Sequence, residues 1–165
     1  MATTSVSPEL FRRVMGSFPT GITVITAERK PGQIHGMTAN SLTSVSLEPL
    51  LILVCVDHSA RLLSYLKERR RFGVNILDET QQAISELFTK PEQDPEEERR
   101  LGVRFRWTAT GIPLLENALA HMGCNVVAQH MSGDHTIFVG EVESLELKEG
   151  EPLVYHRGKY RGLRA

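Results

Sequence analysis

One polar segment stands out between apolar runs and is the first candidate for chemistry. Residues 36–46 read GMTANSLTSVS, with three serines, two threonines and an asparagine where the neighbouring sequence is typical of strands. Small hydroxyl and amide side chains, with nearby main-chain N–H groups, match the donors and acceptors along the edge of a flat heteroaromatic ring. An exposed edge strand without any ligand has the same pattern. The pattern alone leaves both interpretations open.

Three further clusters carry polar or charged groups. Ser59, Ala60 and Arg61 follow an apolar run, and a helix beginning there would offer N–H groups and a guanidinium to a phosphate, although a plain N-cap is the simpler interpretation. Residues 133–135 (GDH) place a histidine just past a turn, either as a strand end or as the group that orients a second ligand. Residues 155–162 (YHRGKYRG) combine two tyrosines and two arginines, in a ligand contact or in a solvated basic tail.

A metal site is the obvious alternative for the histidines. His121, Cys124, His130 and His135 fall within a short span, and Asp134 is adjacent. Their spacing matches no common zinc pattern, and on alternating strands the side chains would point in different directions. We therefore expect no metal site.

Common catalytic and nucleotide-binding signatures are missing from the sequence. There is no GxGxxG after the first strand, no GxxxxGK[ST], no GxSxG, no CxxC and no HExxH. A nucleotide bound by this protein is therefore held in a less common way.

Composition sets the class of protein. The 165 residues are 41% hydrophobic and 24% charged, which predicts a single globular domain over residues 1–165. The net charge of −1 disfavours nucleic acid and anionic membranes as partners. The first residues lack the pattern of a signal peptide, no apolar run could span a bilayer, and both cysteines lie in apolar runs. A cytoplasmic protein with free thiols is expected.

The chain is predicted to open with an amphipathic helix. Ser7, Pro8 and Glu9 are a good N-cap, first residue and first-turn acid. The apolar positions that follow at helical spacing are Leu10, Phe11, Val14, Met15 and Phe18. Pro19 to Gly21 should end this helix.

Strands dominate the rest of the sequence. They are predicted at 22–27, 33–46, 50–56, 72–77, 124–131, 135–147 and 153–156, with a hairpin turn at Gly133-Asp134. The run at 50–56 should be buried on both faces. One helix should be capped by Asp57 or Ser59, with Leu62, Leu63 and Leu66 facing inward. A second should be capped by Asp78 and bury Ala83, Ile84, Leu87 and Phe88, and 89–100 should be an exposed loop with a short helix. Strands do not alternate regularly with helices, which favours a mostly antiparallel barrel or sandwich.

Six sequence blocks, taken in order, resemble a known family. They are FPTGITVIT (18–26), GMTANSLTSVSLEP (36–49), LVCVDHSA (53–60), FGVNIL (72–77), GDHTIFVGEVESL (133–145) and PLVYHRGKYR (152–161). In this order they resemble the short-chain flavin reductases, the reductase components of two-component flavin-dependent monooxygenases. The resemblance extends from about Phe11 to Arg161.

The resemblance implies both a fold and an activity. The fold would be mostly β with a few helices, an FMN-binding split β-barrel that is largely antiparallel and forms a homodimer with its site near the subunit interface. The activity would be that of an NAD(P)H:flavin oxidoreductase that reduces FMN or FAD with NADH or NADPH. The reduced flavin would pass to a separate monooxygenase or halogenase. The alternative is a flavin-binding electron carrier of the same fold without NAD(P)H turnover.

The resemblance also assigns residues to ligands. Those against the isoalloxazine ring would be Thr38, Ala39, Asn40 and Ser41. Those holding the ribityl and phosphate part would be Cys55, Val56, Asp57, Ser59, Ala60 and Arg61, with Asn75 close by. Those at the nicotinamide nucleotide would be His135, Tyr155, His156, Arg157 and Gly158.

The missing acid–base motifs fit this chemistry. Hydride transfer between two rings needs them stacked at short distance and the developing charge stabilised, and little proton transfer by the protein. His135 is accordingly predicted to orient the nicotinamide as the principal catalytic candidate.

Overall fold

The computed structural model describes residues 6–163 as four short helices and twelve strands. The helices are α1 (Pro8–Gly16), α2 (Leu62–Arg69), α3 (Gln82–Phe88) and α4 (Pro95–Arg100). The first strands are β1 (Thr20–Gly21), β2 (Thr23–Lys30), β3 (Gln33–Ala39), β4 (Thr43–Leu47), β5 (Leu50–Asp57) and β6 (Arg71–Ile76). The later strands are β7 (Phe105–Trp107), β8 (Pro113–Leu115), β9 (Ala120–Ser132), β10 (His135–Leu147), β11 (Val154–His156) and β12 (Lys159–Arg161).

A seven-stranded sheet forms the body of the molecule. Its order is β3-β2-β6-β9-β10-β5-β4, and every pairing is antiparallel. Two small sheets, β1-β11-β12 and β7-β8, accompany it. The sheet ends on β3 at one side and on β4 at the other and does not close, as in a split barrel. The predicted fold class is confirmed.

Two apolar clusters lie among these strands. In the larger cluster, Leu62 and Leu66 of α2 are fully buried against side chains from β2, β5, β6 and β10. In the second cluster, Leu87 and Phe88 of α3 pack with Val24 of β2. β2 contributes to both clusters because successive strand residues face opposite sides of a sheet. The two helices therefore hold β2 and β3 between them.

Several elements differ from the sequence predictions. β5 alternates between buried and half-buried residues, so it is not buried on both faces as predicted. Asp57 and Asp78 lie one turn before the helices that they were predicted to cap, and Arg61 and Gln81 are the cap residues. On α3, the predicted Ala83 is exposed and Ser85 is buried instead, since the helix begins later than the sequence suggested.

The first helix matches its predicted start, but its apolar face has no cover. Ser7 Oγ accepts a hydrogen bond from Leu10 N–H at 3.1 Å, which confirms the N-cap. No residue of α1 is buried, and Phe11 and Val14 are 62% and 60% exposed. Large apolar side chains grouped on one exposed helix face indicate a missing partner surface.

The predicted polar loop and the hairpin are both confirmed. Asp94 caps the short helix α4, whose residues are mostly exposed. β9 and β10 pair along their length on either side of Gly133-Asp134. Within residues 6–163, no helix is both long and apolar enough to cross a membrane.

Candidate functional site

The polar segment runs from one edge of the open sheet to the other. Its first part is the end of β3 and its last part is β4, so residues 40–42 cross the opening of the barrel. Edge strands leave N–H and C=O groups of one side unpaired. Both ends of the segment are therefore edge strands, and their unpaired groups are those that a flat heteroaromatic ring edge could use.

Ser41 fastens this crossing to β5. Its Oγ donates to the carbonyl oxygen of Cys55 at 3.0 Å and accepts from the Cys55 N–H at 3.1 Å. The Ser41 side chain therefore extends the β4–β5 pairing by two residues. Its hydroxyl proton is donated to the carbonyl oxygen of Cys55. Cys55 itself is half-buried, and burial raises the pKa of its thiol, which keeps the group neutral.

Thr38 is tied to α3 and, through it, to the C-terminal strands. Its hydroxyl donates to the carbonyl oxygen of Ser85 at 2.6 Å. The Ser85 hydroxyl lies 2.9 Å from the Tyr160 hydroxyl, and Ser85 is fully buried. Sequence reasoning missed Ser85, and it noted Tyr160 only as one tyrosine of the cluster at 155–162. The only signal was a serine beside the apolar positions of the helix.

Ala39 and Asn40 lie between these two anchors. Ala39 is buried and its carbonyl oxygen accepts a 2.7 Å hydrogen bond from the Thr23 hydroxyl. Asn40 is exposed, and its side chain makes no hydrogen bond with another residue of the described range 6–163. An amide with an unoccupied oxygen and NH₂ group beside unpaired main chain fits the donor and acceptor pattern of a flavin ring edge.

Asn75 was predicted to lie near the ligand, but it is completely buried in the sheet. Its Nδ2 donates to Val24 O at 2.8 Å and to Thr26 Oγ1 at 3.1 Å, and its Oδ1 accepts from Leu115 N–H at 2.7 Å. Every polar atom of the amide is used by the protein. The amide therefore joins β6 to β2 and β8, and the proximity of Asn75 to the ligand stays a prediction.

The end of β5 meets the tip of the β9–β10 hairpin. Asp57 is the register partner of His135, and the His58 N–H donates to Asp134 O at 2.9 Å. Asp57 Oδ1 accepts from both N–H and Oγ of Ser59, at 2.7 and 2.6 Å, and these bonds lower the pKa of Asp57. The Ser59 donors predicted to hold a phosphate are thus bound to Asp57. Val56, just before this turn, is buried.

The predicted phosphate residues end at Arg61, whose guanidinium contacts the Glu92 carboxylate. Ala60 is half-buried, and its N–H donates to Asp57 O at 3.0 Å. Among Ser59, Ala60 and Arg61, the charged side chain is that of Arg61, and it is partly exposed to solvent. Its partner Glu92 comes from the loop before α4, which the sequence did not connect with this site.

His135 is held by its neighbour. Its Nδ1 lies 2.7 Å from Asp134 Oδ1, and this hydrogen bond lowers the pKa of Asp134. In the tautomer that carries its proton on Nδ1, the ring donates to Asp134 and leaves Nε2 as an acceptor. One side-chain ligand atom from each of Asp57, Asp134 and His135 lies within 4.8 Å of the other two; Asp134 is hydrogen-bonded to His135, and Asp57 is hydrogen-bonded to Ser59.

The four residues at 155–158 lie in another part of the fold. The rings of Tyr155 and Tyr160 pack edge-on, with their centroids 5.3 Å apart. The backbone of Tyr155 pairs with Thr20 of β1. The Arg157 N–H donates to Gly16 O at 2.8 Å, and Arg157 and Gly158 border a surface depression along α1. His156 pairs with Lys159 across the turn. The contacts of this segment are therefore with α1 and β1, and those of His135 are with the end of β5.

Of the remaining histidine and cysteine candidates, His121 and Cys124 are buried. His121 is buried with Nε2 at 2.6 Å from Leu115 O, and burial lowers its pKa. Burial, reinforced by Glu143, raises the pKa of Cys124 to about 12. His130 is exposed on β9. Among residues 6–163, the grouping of possible metal ligands consists of Asp57, Asp134 and His135, and it does not include His121, Cys124 or His130.

An open antiparallel sheet with a polar segment across its opening defines the class as a split β-barrel. The model of the flavin reductase like domain matches residues 15–164, and the chain belongs to this family. It is 41% identical over 160 residues to an NADH-dependent flavin reductase of a Rhodococcus species, covering 96% of this chain and 88% of that protein.

Two further relatives are components of larger systems. The chain is 36% identical over 161 residues to the reductase subunit HsaB of a flavin-dependent monooxygenase from Mycobacterium tuberculosis, covering 96% and 83% of the two chains. A solved structure of BorF, the flavin reductase component of a bacterial two-component tryptophan halogenase, superposes with a TM-score of 0.85. Its identity is 39%, and 96% of this chain and 99% of that one are covered.

Proposed function

We propose that this protein is an NADH-dependent flavin reductase that supplies reduced flavin to a separate oxygenase or halogenase. The observation that carries the proposal is the polar segment across the barrel opening, which offers Asn40 and unpaired main chain to a ring edge. Family membership agrees with it. The Rhodococcus relative is named as NADH-dependent, which supports NADH over NADPH as the reductant here.

The protein's part in this reaction is positioning. A flavin held along residues 38–41 would supply the redox chemistry of hydride transfer with a nicotinamide. Thr38 and Ser41 fix the two ends of the crossing segment through Ser85 and Cys55, which holds Asn40 in place. His135 presents Nε2 as an acceptor for an N–H group of the nicotinamide carboxamide. These groups orient two rings without transferring a proton, as hydride transfer requires.

The second candidate function is a flavin-binding electron carrier of the same fold. Mixing the protein with excess FMN or FAD and NADH, and following nicotinamide absorbance, separates the two. Consumption of NADH with flavin present is expected. Bound flavin without NADH consumption would replace the reductase by the carrier.

Asn40→Ala is expected to raise the dissociation constant of the flavin about tenfold, because it removes hydrogen bonds to the ring edge. Fluorescence titration of the flavin measures this. Asn125→Ala is the matched control, since its amide bonds to the exposed Glu143 away from the crossing. Equal constants for both variants would show that the crossing segment is only a sheet edge.

His135→Ala is expected to raise the KM for NADH about tenfold while the dissociation constant of the flavin changes less than about twofold. The reason is that His135 is assigned to the nicotinamide and not to the flavin. Steady-state kinetics measure the KM, and flavin titration measures the dissociation constant. His130→Ala is the matched control, because His130 is an exposed histidine on the same hairpin. A parallel loss of both properties would contradict this role.

We also infer that a second copy of the chain covers α1. The helix has no buried residue although its Phe11, Val14 and Met15 form an apolar face. The depression beside that face is lined in part by Arg157 and Gly158, so a partner there would complete the nicotinamide region. The mass in solution by sedimentation is expected to be that of a dimer.

A further inference from the structure

A buried serine on α3 lies between two segments that the proposed function assigns to different ligands, the flavin segment (38–41) and the nicotinamide segment (155–158). Ser85 is completely buried, beside the apolar side chains of Leu87 and Phe88 on the same helix. Its hydroxyl lies 2.9 Å from the hydroxyl of Tyr160, and within residues 6–163 neither hydroxyl has another hydrogen-bond partner. A buried hydroxyl without a partner is costly, so this contact fixes Ser85 and Tyr160 against each other.

On one side, α3 is fixed to the flavin segment. The hydroxyl of Thr38 donates to the Ser85 carbonyl oxygen at 2.6 Å. Two residues earlier on the same face of β3, the ring of Phe88 covers Gly36, where a Cβ would lie only 2.5 Å from that ring. One polar and one apolar contact therefore set the position of α3 along β3, and a shift of Ser85 moves Thr38 with it.

On the other side, Tyr160 belongs to the β11–β12 hairpin, which carries the nicotinamide segment. Tyr160 is the register partner of Tyr155, and the centroids of their rings are 5.3 Å apart. The turn of this hairpin is held at Arg157, whose N–H donates to Gly16 O at 2.8 Å. The hydroxyl of Tyr160 therefore joins the nicotinamide hairpin to α3, and α3 joins it to the flavin segment.

This connection cannot act as a proton relay. Thr38 donates its hydroxyl proton to a carbonyl oxygen, which has no proton to pass on to the Ser85 hydroxyl. Hydride transfer depends instead on the distance and alignment of the two reacting rings, and a misplacement of about 1 Å can lower the rate about a hundredfold.

We propose that Ser85 and Tyr160 are positioning residues that hold the flavin segment and the nicotinamide segment at the separation that hydride transfer requires. Neither residue is assigned to touch a ligand, and both act through Thr38 and the β11–β12 hairpin. The inference rests on the proposed function. It predicts a loss of rate without a loss of affinity when the hydrogen bond between the two hydroxyls is removed.

Tyr160→Phe tests the connection, because it keeps the ring that packs against Tyr155 and removes the hydroxyl. The rate constant of flavin reduction at saturating NADH, measured by stopped-flow absorbance, is expected to fall about tenfold. The dissociation constants of flavin and NADH should change less than about twofold. Tyr65→Phe is the matched control, since Tyr65 is a half-buried tyrosine whose hydroxyl makes no hydrogen bond within the described residues.

The amplitude of the same traces separates positioning from a loss of folded protein. Every molecule of Tyr160→Phe should still bind and reduce flavin, so the amplitude is expected to equal that of the unaltered protein while the rate constant falls. A smaller amplitude with an unchanged rate constant would mean that the hydrogen bond only stabilises the fold, which would overturn the positioning role.

Ser85→Ala removes the other half of the same hydrogen bond and keeps the carbonyl oxygen that accepts from Thr38. Because both hydroxyls act through one contact, Ser85→Ala should slow reduction about as much as Tyr160→Phe, and the double variant should be no slower than either. Multiplied losses in the double variant, unchanged rate constants in the single variants, or an equal loss of flavin affinity would each contradict the proposal. The reductase stands in all these cases because NADH is still consumed, whereas no consumption by the unaltered protein would overturn the proposed function itself.

Discussion

Gly73→Ala is expected to lower the free energy of unfolding by about 3 kcal/mol, the largest effect of a single methyl group in this fold. A Cβ built at Gly73 would lie 2.3 Å from the carbonyl oxygen of Pro113 and 2.5 Å from Thr26 Oγ1. The carbonyl belongs to the β8 backbone and cannot rotate away, so β8 must separate from the main sheet.

Denaturant unfolding measures the effect of Gly73→Ala. Gly21→Ala is the matched control, because it also lies in a strand, its φ is not positive and a Cβ there meets no atom within 4 Å. The control should change stability by about 0.5 kcal/mol or less. Similar losses in the two variants would mean that β8 is not packed on Gly73 as described.

Asn75→Ala is expected to cost about 3 kcal/mol of unfolding free energy and to leave the flavin dissociation constant of the folded protein within about twofold. The amide holds three strands together by bonding to Val24 and Thr26 of β2 and to Leu115 of β8. Removal of the amide leaves a buried carbonyl oxygen and a buried N–H group without a hydrogen-bond partner. The melting temperature should therefore fall by about 10 °C.

Asn40→Ala provides the reciprocal comparison for Asn75→Ala. It removes the same amide group from an exposed position, so it should weaken flavin binding and leave the melting temperature nearly unchanged. If Asn75→Ala instead weakens flavin binding as strongly as Asn40→Ala does, then Asn75 belongs to the ligand site after all.

Patterns of several residues predicted their elements well. The Ser7 cap, the β6 run and the hairpin around Gly133-Asp134 were all predictable because each repeats a local preference over a turn or a strand. β1, β7 and β8 have two or three residues each and show no periodicity, so tertiary contacts alone define them. The predicted cap at Asp57 was wrong because its carboxylate bonds to Ser59 one turn earlier.

The candidate site was predictable as a list of residues and not as a geometry. The polar types in residues 36–46 indicated the crossing segment, but nothing local showed that its two ends are the two edges of one sheet. Asn75 illustrates the limit: a polar residue in an apolar strand predicts a ligand contact or a buried hydrogen-bond network equally well. The pairing of Arg61 with Glu92 joins residues far apart in sequence, and only the fold reveals it.

The β9–β10 hairpin has a consequence for how the chain folds. β5 pairs with the half of β10 next to the turn, and β6 pairs with the half of β9 far from it. A two-residue turn joins the two strands of the hairpin. β5 and β6 lie far from the hairpin in sequence, so pairing them with it closes long loops and costs more conformational entropy. We therefore expect the hairpin to form first and to act as the template for β5 and β6. Substitutions in its turn should slow folding, and substitutions in the late edge strand β4 should mainly speed unfolding.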